Sequence, residues 1–152
     1  MTDKATQYEV RLARSLEDIR QAQRLRYRVF VEELGGDGPL VDHALGLEID
    51  TYDEFCSHLI LLDKTSGEVV GVYRLLTNSQ AEAAGQFYSE TEYDLSTLKN
   101  SGRRLLELGR SCVDAKHRNG MALYHLWRGL AGYIAAQNIE VLCGVASFHG
   151  TD

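Results

Sequence analysis

Glu107 and Arg110 lie three positions apart, with Gly109 between them, in a stretch that predicts a β-strand. On a regular strand, residues three apart face opposite sides of the sheet. One extra residue in a β-bulge reverses this alternation, and a glycine accommodates a bulge easily. A bulge would bring a carboxylate, a guanidinium and an unpaired backbone N–H together, as acyl transfer to an amine requires. A structural ion pair between strands is an equally good interpretation of this pair alone.

A glycine turn follows this strand and opens a long amphipathic helix. Its residues are Arg118, Asn119, Gly120, Met121 and Ala122. The first N–H groups of a helix have no partner within it, and the helix dipole favours negative charge there. Arg118 would add a direct contact to a phosphate. The turn therefore predicts that a phosphate-bearing carrier binds beside the charged strand, although glycine turns before helices are common.

Further charged residues lie elsewhere in the chain. Asp50 and Asp53 precede the second predicted strand and would bind an ammonium group, unless they are merely solvated loop residues. Arg26 belongs to a predicted basic helix and Arg74 to a predicted strand, and a lone arginine of this kind commonly makes a structural ion pair. His58, at the start of an apolar strand, is more typical of a packed side chain than of a catalyst. No Gly-x-Ser-x-Gly nucleophile elbow occurs in the sequence.

The composition indicates one soluble globular domain. The chain has 152 residues, 44% of them apolar and 25% charged, which is enough for a hydrophobic core. It has no apolar run that would span a bilayer and no signal-peptide pattern. The three cysteines include no Cys-x-x-Cys pair and lack the spacing of zinc ligands. This pattern favours buried free thiols in a reducing compartment. We expect no metal and a cytoplasmic protein, in peripheral contact at most with the inner face of a membrane.

The net charge of −6 argues against binding to nucleic acid, but the charge is unevenly spread. Residues 11–28 contain six arginines and two acidic residues, whereas residues 32–54 contain eight acidic residues and no Lys or Arg. A basic helix face would hold an acidic partner, and the acidic segment would attract a cationic substrate. Two solvated faces that partly neutralise each other are the alternative.

Hydrophobic periodicity predicts an α/β chain with a mixed sheet, in the order β-α-loop-β-β-loop-β-α-β. The predicted strands are residues 8–13, 58–62, 68–76, 104–114 and 139–146. One helix begins after the N-cap Ser15 and ends at Gly35-Gly36, and the other covers residues 119–137. Residues 35–47 and 77–102 are predicted loops, the second with one short helix. On the second long helix, Tyr124 and Trp127 are more typical of a core than of a cofactor site.

The apolar run 139–146 predicts a last strand that is buried on both faces. Its outer edge would be uncovered if the sheet ended there, and exposed edges invite pairing. We therefore expect either that the chain is a fragment of a longer protein or that a second copy covers this edge as a homodimer.

Taken together, these residues resemble the GNAT-type N-acyltransferases, in particular the branch that takes its acyl group from acyl carrier protein. The spacing is similar to that of the acyl-homoserine-lactone synthases: Arg26-x3-Phe30, Asp50-x2-Asp53, Arg74 and Glu107-x2-Arg110. The ornithine acyltransferases that make lyso-ornithine lipid are a closer match. That match runs from about residue 8 to residue 152 and rests on RLRYRVFVEELGG, DTYDEFCSHL, GVYRLL, FYSETEYDL, LLELGRSCV, YHLWRGLAGYI and GVASFHGTD.

The resemblance implies a single GNAT-like domain over residues 1–152, the N-terminal part of a protein about twice as long. It implies that Glu107 is the general base or orients the amine, within a charged network of Arg26, Arg74 and Arg110. Phe30, Asp50 and Asp53 would bind the acceptor. The turn 118–122 would hold the phosphopantetheine phosphate, with no tightly bound cofactor, and the basic first helix would help to dock acyl carrier protein. GNAT enzymes usually have Gln or Arg where this chain has His117, which favours acyl carrier protein over coenzyme A as donor.

The function implied is transfer of a 3-hydroxyacyl chain from acyl carrier protein to the α-amine of L-ornithine. An autoinducer synthase that uses S-adenosylmethionine is the first alternative, although the first helix lacks a tryptophan usual in that family. The second alternative is a non-catalytic domain that binds acyl carrier protein.

Overall fold

The computed structural model describes residues 7–38 and 41–144. Its strands are β1 (Tyr8–Leu12), β2 (Val41–Asp42), β3 (Leu47–Glu48), β4 (Ser57–Asp63), β5 (Val69–Thr77), β6 (Leu105–Val113) and β7 (Val141–Cys143). Five of them form one sheet in the order β1-β4-β5-β6-β7, and β2 pairs with β3. In this sheet the pairs β1–β4, β4–β5 and β5–β6 are antiparallel, whereas β6 and β7 are parallel. The predicted mixed sheet is confirmed.

The helices are α1 (Leu16–Arg26), α2 (Asn78–Ala84), α3 (Ser96–Lys99) and α4 (Gly120–Ala136). Short polar side chains begin the two long ones, because a helix leaves its first N–H groups without partners. Ser15 Oγ accepts from the Asp18 N–H at 3.1 Å, and Asn119 Oδ1 accepts from the Ala122 N–H at 3.0 Å. Both predicted helix starts are confirmed.

The two long helices cover opposite faces of the sheet. α1 and the turn that follows it pack on the face that contains Ile60, Val72 and Cys112, through Ala22, Leu25 and Val29. α4 packs on the other face, which contains Leu59, Leu61, Leu75 and Leu106, through Ala122 and Leu126. Each fully buried side chain of this size stabilises the fold by about 1.5–3 kcal/mol, so both faces of the sheet belong to the core.

The predicted first helix changes from α-helical to π-helical geometry part of the way along. After Arg26 the backbone continues as a π-helical segment, Tyr27–Glu33, before it ends at Leu34. Hydrophobic periodicity does not reveal this change, because the wider turn is local. The segment keeps Val29 in the core and directs Phe30 and Glu33 to partners outside α1.

The two predicted loops contain more regular structure than the sequence predicted. The loop 35–47 contains β2 and part of the hairpin with β3, and residues 77–102 contain α2, α3 and a 3₁₀ turn, Tyr88–Thr91. The capping box of Thr77 and Gln80 starts α2 and was a usable signal in the sequence.

The last strand is not buried on both faces, since Leu142 in β7 is 48% exposed at the edge of the described sheet. Residues 145 and 146 of the predicted strand lie outside the described residues. Tyr124 and Trp127 are not in the core, because they are 54% and 65% exposed.

None of the helices in the described ranges has the length and apolarity that a membrane crossing needs.

Gly129 brings α4 close to β1. A β-carbon added there would lie 2.5 Å from one Val10 methyl carbon and 3.0 Å from the other. Gly132, one turn further along the same helix, would meet nothing within 4 Å. Valine has a stiff side chain, so it cannot swing aside at little cost.

We predict that Gly129→Ala and Gly132→Ala change stability in opposite directions. Gly132→Ala should raise the free energy of unfolding by about 0.5–1 kcal/mol, because alanine favours helix. Gly129→Ala should lower it by about 1–3 kcal/mol, because the contact with Val10 is overpacked. Urea unfolding of both variants measures this, and equal stabilisation by the two would contradict the close approach of α4 and β1.

Candidate active site

The predicted β-bulge is present in β6. Arg110 and Ser111 of this strand together face one residue of β5, Tyr73. Arg110 has φ of 48°, in the left-handed region that residues with a side chain rarely adopt. The bulge therefore sits one residue after Gly109 and takes Arg110 out of the regular ladder.

The bulge brings Glu107 and Arg110 to the same face of the sheet. Glu107 lies opposite Leu76, and Cys112 lies opposite Val72. Directly opposed residues in an antiparallel pair share a face, and so do residues two apart on a strand. Glu107 and Cys112 accordingly lie on the α1 side, and the Arg110 side chain reaches the same side, where it contacts Glu48 and Phe30. The sequence had predicted that a bulge would let Glu107 and Arg110 share a face.

Six charged side chains form an alternating chain of ion pairs on this face. Three are cations and three are anions, so their formal charges cancel. In order they are Arg110, Glu48, Arg26, Asp53, Arg74 and Asp50. They come from α1, β3, the loop before β4, β5 and β6, so the ion-pair chain joins five segments of the fold.

Arg26 lies in the middle of the ion-pair chain and is 0% exposed. Its Nε donates to Glu48 Oε1 at 2.7 Å, and its Nη1 donates to Asp53 Oδ1 at 2.9 Å. A buried charge is tolerated only when it is paired and hydrogen-bonded. Both carboxylates are therefore needed to keep Arg26 inside the fold.

Asp53 is buried and uses both carboxylate oxygens. Oδ1 accepts from Arg26 and, at 3.2 Å, from Arg74 Nη1, while Oδ2 accepts from Gln23 Nε2 and from the Asp50 N–H, each at 3.1 Å. Burial alone would raise the pKa of Asp53, but the Arg26 and Arg74 cations outweigh it and hold the pKa below its usual range. Asp50 is half-buried and pairs with Arg74 at 3.2 Å. Of the two predicted ammonium ligands, Asp50 is the one that reaches the surface.

Arg74 is enclosed by aromatic rings. Its guanidinium carbon lies 5.8 Å from the ring centroid of Tyr52 and 5.5 Å from that of Tyr88. A side chain at Gly109 would come within 3.7 Å of Arg74 Nη2. Cation–π contacts favour the charged guanidinium at such a site, and Gly109 lies against this guanidinium without needing to be a glycine for lack of space.

Glu107 is buried and is held by the 3₁₀ turn Tyr88–Thr91. Oε1 accepts from the Tyr88 N–H at 2.9 Å, and Oε2 accepts from the N–H and the hydroxyl of Ser89, at 2.6 and 2.5 Å. Within the described part of the chain it makes no ion pair with Arg110, so the structural pair that the sequence left open is not formed. The carboxylate is a fixed acceptor group beside Arg74, because Tyr88 contacts both residues.

Arg110 lies at the exposed end of the ion-pair chain. Its guanidinium pairs with the Glu48 carboxylate through both Nε and Nη2, and its central carbon lies 4.2 Å from the ring centroid of Phe30. Its side chain is 28% exposed and borders a cleft of about 190 Å³. Other residues of that cleft come from the π-helical segment, from the stretch that follows it and from β2: Val31, Leu34, Gly36, Asp37 and Val41.

The predicted phosphate turn follows the C-terminal end of β6. Asn119 caps the Ala122 N–H, and a β-carbon at Gly120 would meet nothing within 4 Å. The N–H groups of Gly120 and Met121 come before the first helical hydrogen bond, so the fold leaves them available to an anion. Arg118, which was predicted to contact a phosphate, pairs instead with both oxygens of Glu33 and donates from Nε to the Val113 carbonyl.

A tyrosine of β1 fixes the same turn. The Tyr8 hydroxyl lies 2.9 Å from His117 Nδ1 and 3.4 Å from Asn119 Nδ2. Tyr8 is buried, so the approach to α4 has a rigid support.

The predicted basic face of the first helix is largely paired with acidic residues. In α1, Arg24 pairs with Glu17 at 3.2 Å, and Arg26 is buried in the ion-pair chain. Next to α1, Arg11 of β1 pairs with Asp18 at 2.7 Å, and Arg28 of the π-helical segment pairs with Asp114 at 3.7 Å. Exposed cations remain at three positions: Arg14, Arg24 and Arg28.

His58 and the cysteines behave as packed side chains. His58 is buried, and its Nε2 donates to the Asp53 carbonyl at 2.9 Å. Burial lowers the pKa of His58 and raises the pKa of the Cys56 and Cys112 thiols to about 12. Each of these groups is therefore neutral near pH 7. Within residues 7–38 and 41–144, no three His, Cys, Asp or Glu side chains are grouped to hold a metal ion.

Sequence reasoning missed Glu48, Tyr88 and Ser89. Glu48 is one acid among eight in residues 32–54, and nothing in that run distinguishes it. Ser89 and Tyr88 act partly through backbone N–H groups, which carry no residue-type signal.

A family model described as the acetyltransferase (GNAT) domain matches residues 25–128. The match includes the ion-pair chain, the bulged strand and the glycine turn.

Curated relatives are similar over nearly the whole chain. An L-ornithine N(alpha)-acyltransferase of Rhodobacter capsulatus is 57% identical over 150 residues, which is 95% of this chain and 58% of the relative. One of Brucella abortus is 44% identical over 149 residues, which is 93% of this chain and 53% of the relative. The chain thus spans little more than half the length of these relatives.

Solved structures share the fold. The AHL synthase LasI superposes with a TM-score of 0.65 and 20% identity, over 92% of this chain and 72% of its own. FeeM, an N-acyl amino acid synthase from uncultured soil microbes, superposes with a TM-score of 0.66 and 18% identity, over 90% of this chain and 70% of its own. The predicted fold, a mixed sheet with flanking helices, is confirmed by these similarities.

We predict that Asp53→Asn destabilises the protein by about 3–5 kcal/mol at pH 7, because it leaves two buried arginines short of a charge. The pKa of Asp53 is lowered in the folded protein, so its contribution is complete above the unfolded pKa and is lost as the pH falls through the folded value. The difference in the free energy of unfolding between the parent protein and Asp53→Asn should therefore narrow below about pH 4.

Chemical unfolding between pH 3 and 8 measures this effect. Glu17→Gln is the control, because it removes an exposed ion pair with Arg24 and should cost less than about 1 kcal/mol. A difference between Asp53→Asn and the parent protein that stays constant with pH would contradict the role of the Asp53 charge.

Proposed function

Because the chain belongs to the GNAT acetyltransferase domain family, we propose that it is an N-acyltransferase that acylates the α-amine of L-ornithine. The acyl group would be a 3-hydroxyacyl chain carried by acyl carrier protein, and the product would be lyso-ornithine lipid. The observation that carries the proposal is the 57% identity over 150 residues to an enzyme named L-ornithine N(alpha)-acyltransferase. The charged face of the bulged strand is consistent with it.

The reaction needs an acceptor for a proton and a donor to a developing oxyanion. The amine nitrogen attacks the thioester carbonyl carbon, a C–N bond forms, the C–S bond breaks, the amine proton passes to a base, and the thiol of the carrier leaves. Glu107, whose carboxylate is held by Tyr88 and Ser89, would orient the amine or take its proton. Arg110, at the exposed end of the ion-pair chain, would stabilise the oxyanion.

The acceptor would bind where anionic groups and an aromatic ring border the charged face. Asp50 is half-buried and would attract an ammonium group of ornithine. Asp53 and Arg26, which pair inside the fold, would fix the position of this acceptor site. Phe30 lies against Arg110 and would form one wall. A cationic acceptor suits a segment with eight acidic residues in positions 32–54.

The donor would approach from the α4 end. The free N–H groups of Gly120 and Met121 would bind the phosphate of the pantetheine arm. The exposed cations Arg14, Arg24 and Arg28 would attract acyl carrier protein, which is acidic. His117 in place of the usual Gln or Arg supports a carrier protein over coenzyme A. A homodimer through β7 and a peripheral membrane contact stay predictions.

The first test is product formation. The intact protein, incubated with a 3-hydroxyacyl carrier protein and L-ornithine, should release an N-acyl amide that mass spectrometry detects. Release of a lactone from S-adenosylmethionine instead would favour the autoinducer synthase, and no product with either acceptor would favour a carrier-binding domain. Replacing the carrier protein with the acyl coenzyme A distinguishes the two donors.

The second test concerns Glu107. Glu107→Ala should lower kcat/KM by roughly 10²-fold or more, because proton transfer and orientation are both lost. Ser89→Ala removes one of the hydrogen bonds to the carboxylate but keeps the carboxylate itself, so it should cost about tenfold at most. Circular dichroism checks that both variants are folded. A fully active Glu107→Ala protein would exclude Glu107 from the chemistry.

A further inference from the structure

Glu48 is the only anion of the ion-pair chain that contacts both Arg26 and Arg110. Its Oε1 accepts from Arg26 Nε at 2.7 Å and from Arg110 Nε at 3.3 Å, and its Oε2 pairs with Arg110 Nη2. The Glu48 side chain is 8% exposed. A carboxylate offers about four lone-pair sites on its two oxygens, so Glu48 can accept from two guanidinium groups at once.

Arg110 needs such a partner more than an ordinary surface arginine does. Burial and the nearby Arg26 cation lower the pKa of Arg110 to about 10. Arg26 is fully buried, so the repulsion between the two guanidinium groups is poorly screened by water. Glu48 lies between these like charges and offsets both.

The backbone alone does not fix the direction of the Arg110 side chain. It sits on the bulge with φ of 48°, outside the regular ladder of β6. Two contacts therefore set the direction of its side chain: the Phe30 ring on one side and the Glu48 carboxylate on the other. Phe30 limits the guanidinium to a plane, and the two-point pairing with Glu48 selects its orientation within that plane.

Glu48 is itself held by short secondary structure. It ends β3, which pairs with β2 in a hairpin of two residues per strand. Val41 of β2 and Glu48 both border the cleft beside Arg110. The ion pair thus ties this hairpin to the bulged strand across the cleft.

We propose that Glu48 is a positioning residue that aims the Arg110 guanidinium into this cleft. This inference rests on the proposed function in so far as Arg110 acts on the reacting acyl group. We assign Glu48 a positioning role because both of its oxygens pair with guanidinium groups, those of Arg26 and Arg110. It acts through Arg110, so losing it should impair turnover more than binding of the acceptor.

The kinetic test compares Glu48→Gln and Glu48→Asp in the intact protein. Glu48→Gln should lower kcat by about 10- to 100-fold, because a slight misplacement of a reacting group has an effect of this size. The KM for ornithine should change less than about threefold, since Asp50 and Asp53 are untouched. Glu48→Asp keeps the charge and should recover part of the loss.

A double-mutant cycle then shows whether Glu48 acts through Arg110. In an Arg110→Lys background, Glu48→Gln should cost less than about twofold further, because the group it positions is already gone. Equal losses in both backgrounds would overturn the proposal. Glu9→Gln, which removes an exposed glutamate paired with Arg11, is the matched control and should leave kcat within about twofold.

A third measurement does not depend on turnover. Phenylglyoxal labels accessible guanidinium groups, and mass spectrometry locates the label. Glu48→Gln should raise the labelling rate of Arg110 several-fold relative to Arg128, an exposed arginine on α4. An unchanged Arg110 rate in folded protein would overturn the proposal. If the intact protein makes no amide, the proposed function fails, and the labelling rate alone decides whether Glu48 holds Arg110.

Discussion

The fold around the site depends on keeping one guanidinium, that of Arg26, inside a dry interior. Its two carboxylate partners lie on β3 and in the loop before β4, and each of those carboxylates contacts a further arginine on the sheet. An alternating chain of charge is the arrangement that places three cations and three anions together without a net buried charge. The acidic segment, the first helix and the bulged strand are positioned relative to one another by the same set of contacts.

The site is built along β6, which connects its two halves. Glu107 and Arg110 lie on the charged face, and the strand leads directly into the turn that opens α4. The bulge lets Arg110 leave the ladder while Cys112, two residues later, returns to the core. Rigid supports on both sides, Ser89 beneath Glu107 and Tyr8 beneath the turn, reduce the reorganisation that a reaction would require.

Local chemistry made much of this predictable. Ser15 and Asn119 are strong N-caps, and Gly109 between two charged residues signalled the bulge. The π-helical turn after Arg26 was not predictable, because its hydrophobic pattern fits an ordinary helix for the first turns. Glu48 could not be singled out either, since its importance comes from a buried arginine 22 residues away in sequence. The tertiary packing decides which distant residue pairs with a given charge, and patterns in a single sequence do not report this packing.

The wide turn at residues 27–33 has a consequence for how the chain can vary in length. Phe30 contacts Arg110, and Glu33, three positions later, contacts Arg118. One short segment therefore supports both the charged face and the approach to α4. Inserting or deleting a single residue before Phe30 would rotate both side chains about the helix axis relative to α1, detaching the two supports at once. Indels should be tolerated in the surface turn around Gly67, between β4 and β5, long before they are tolerated in this segment.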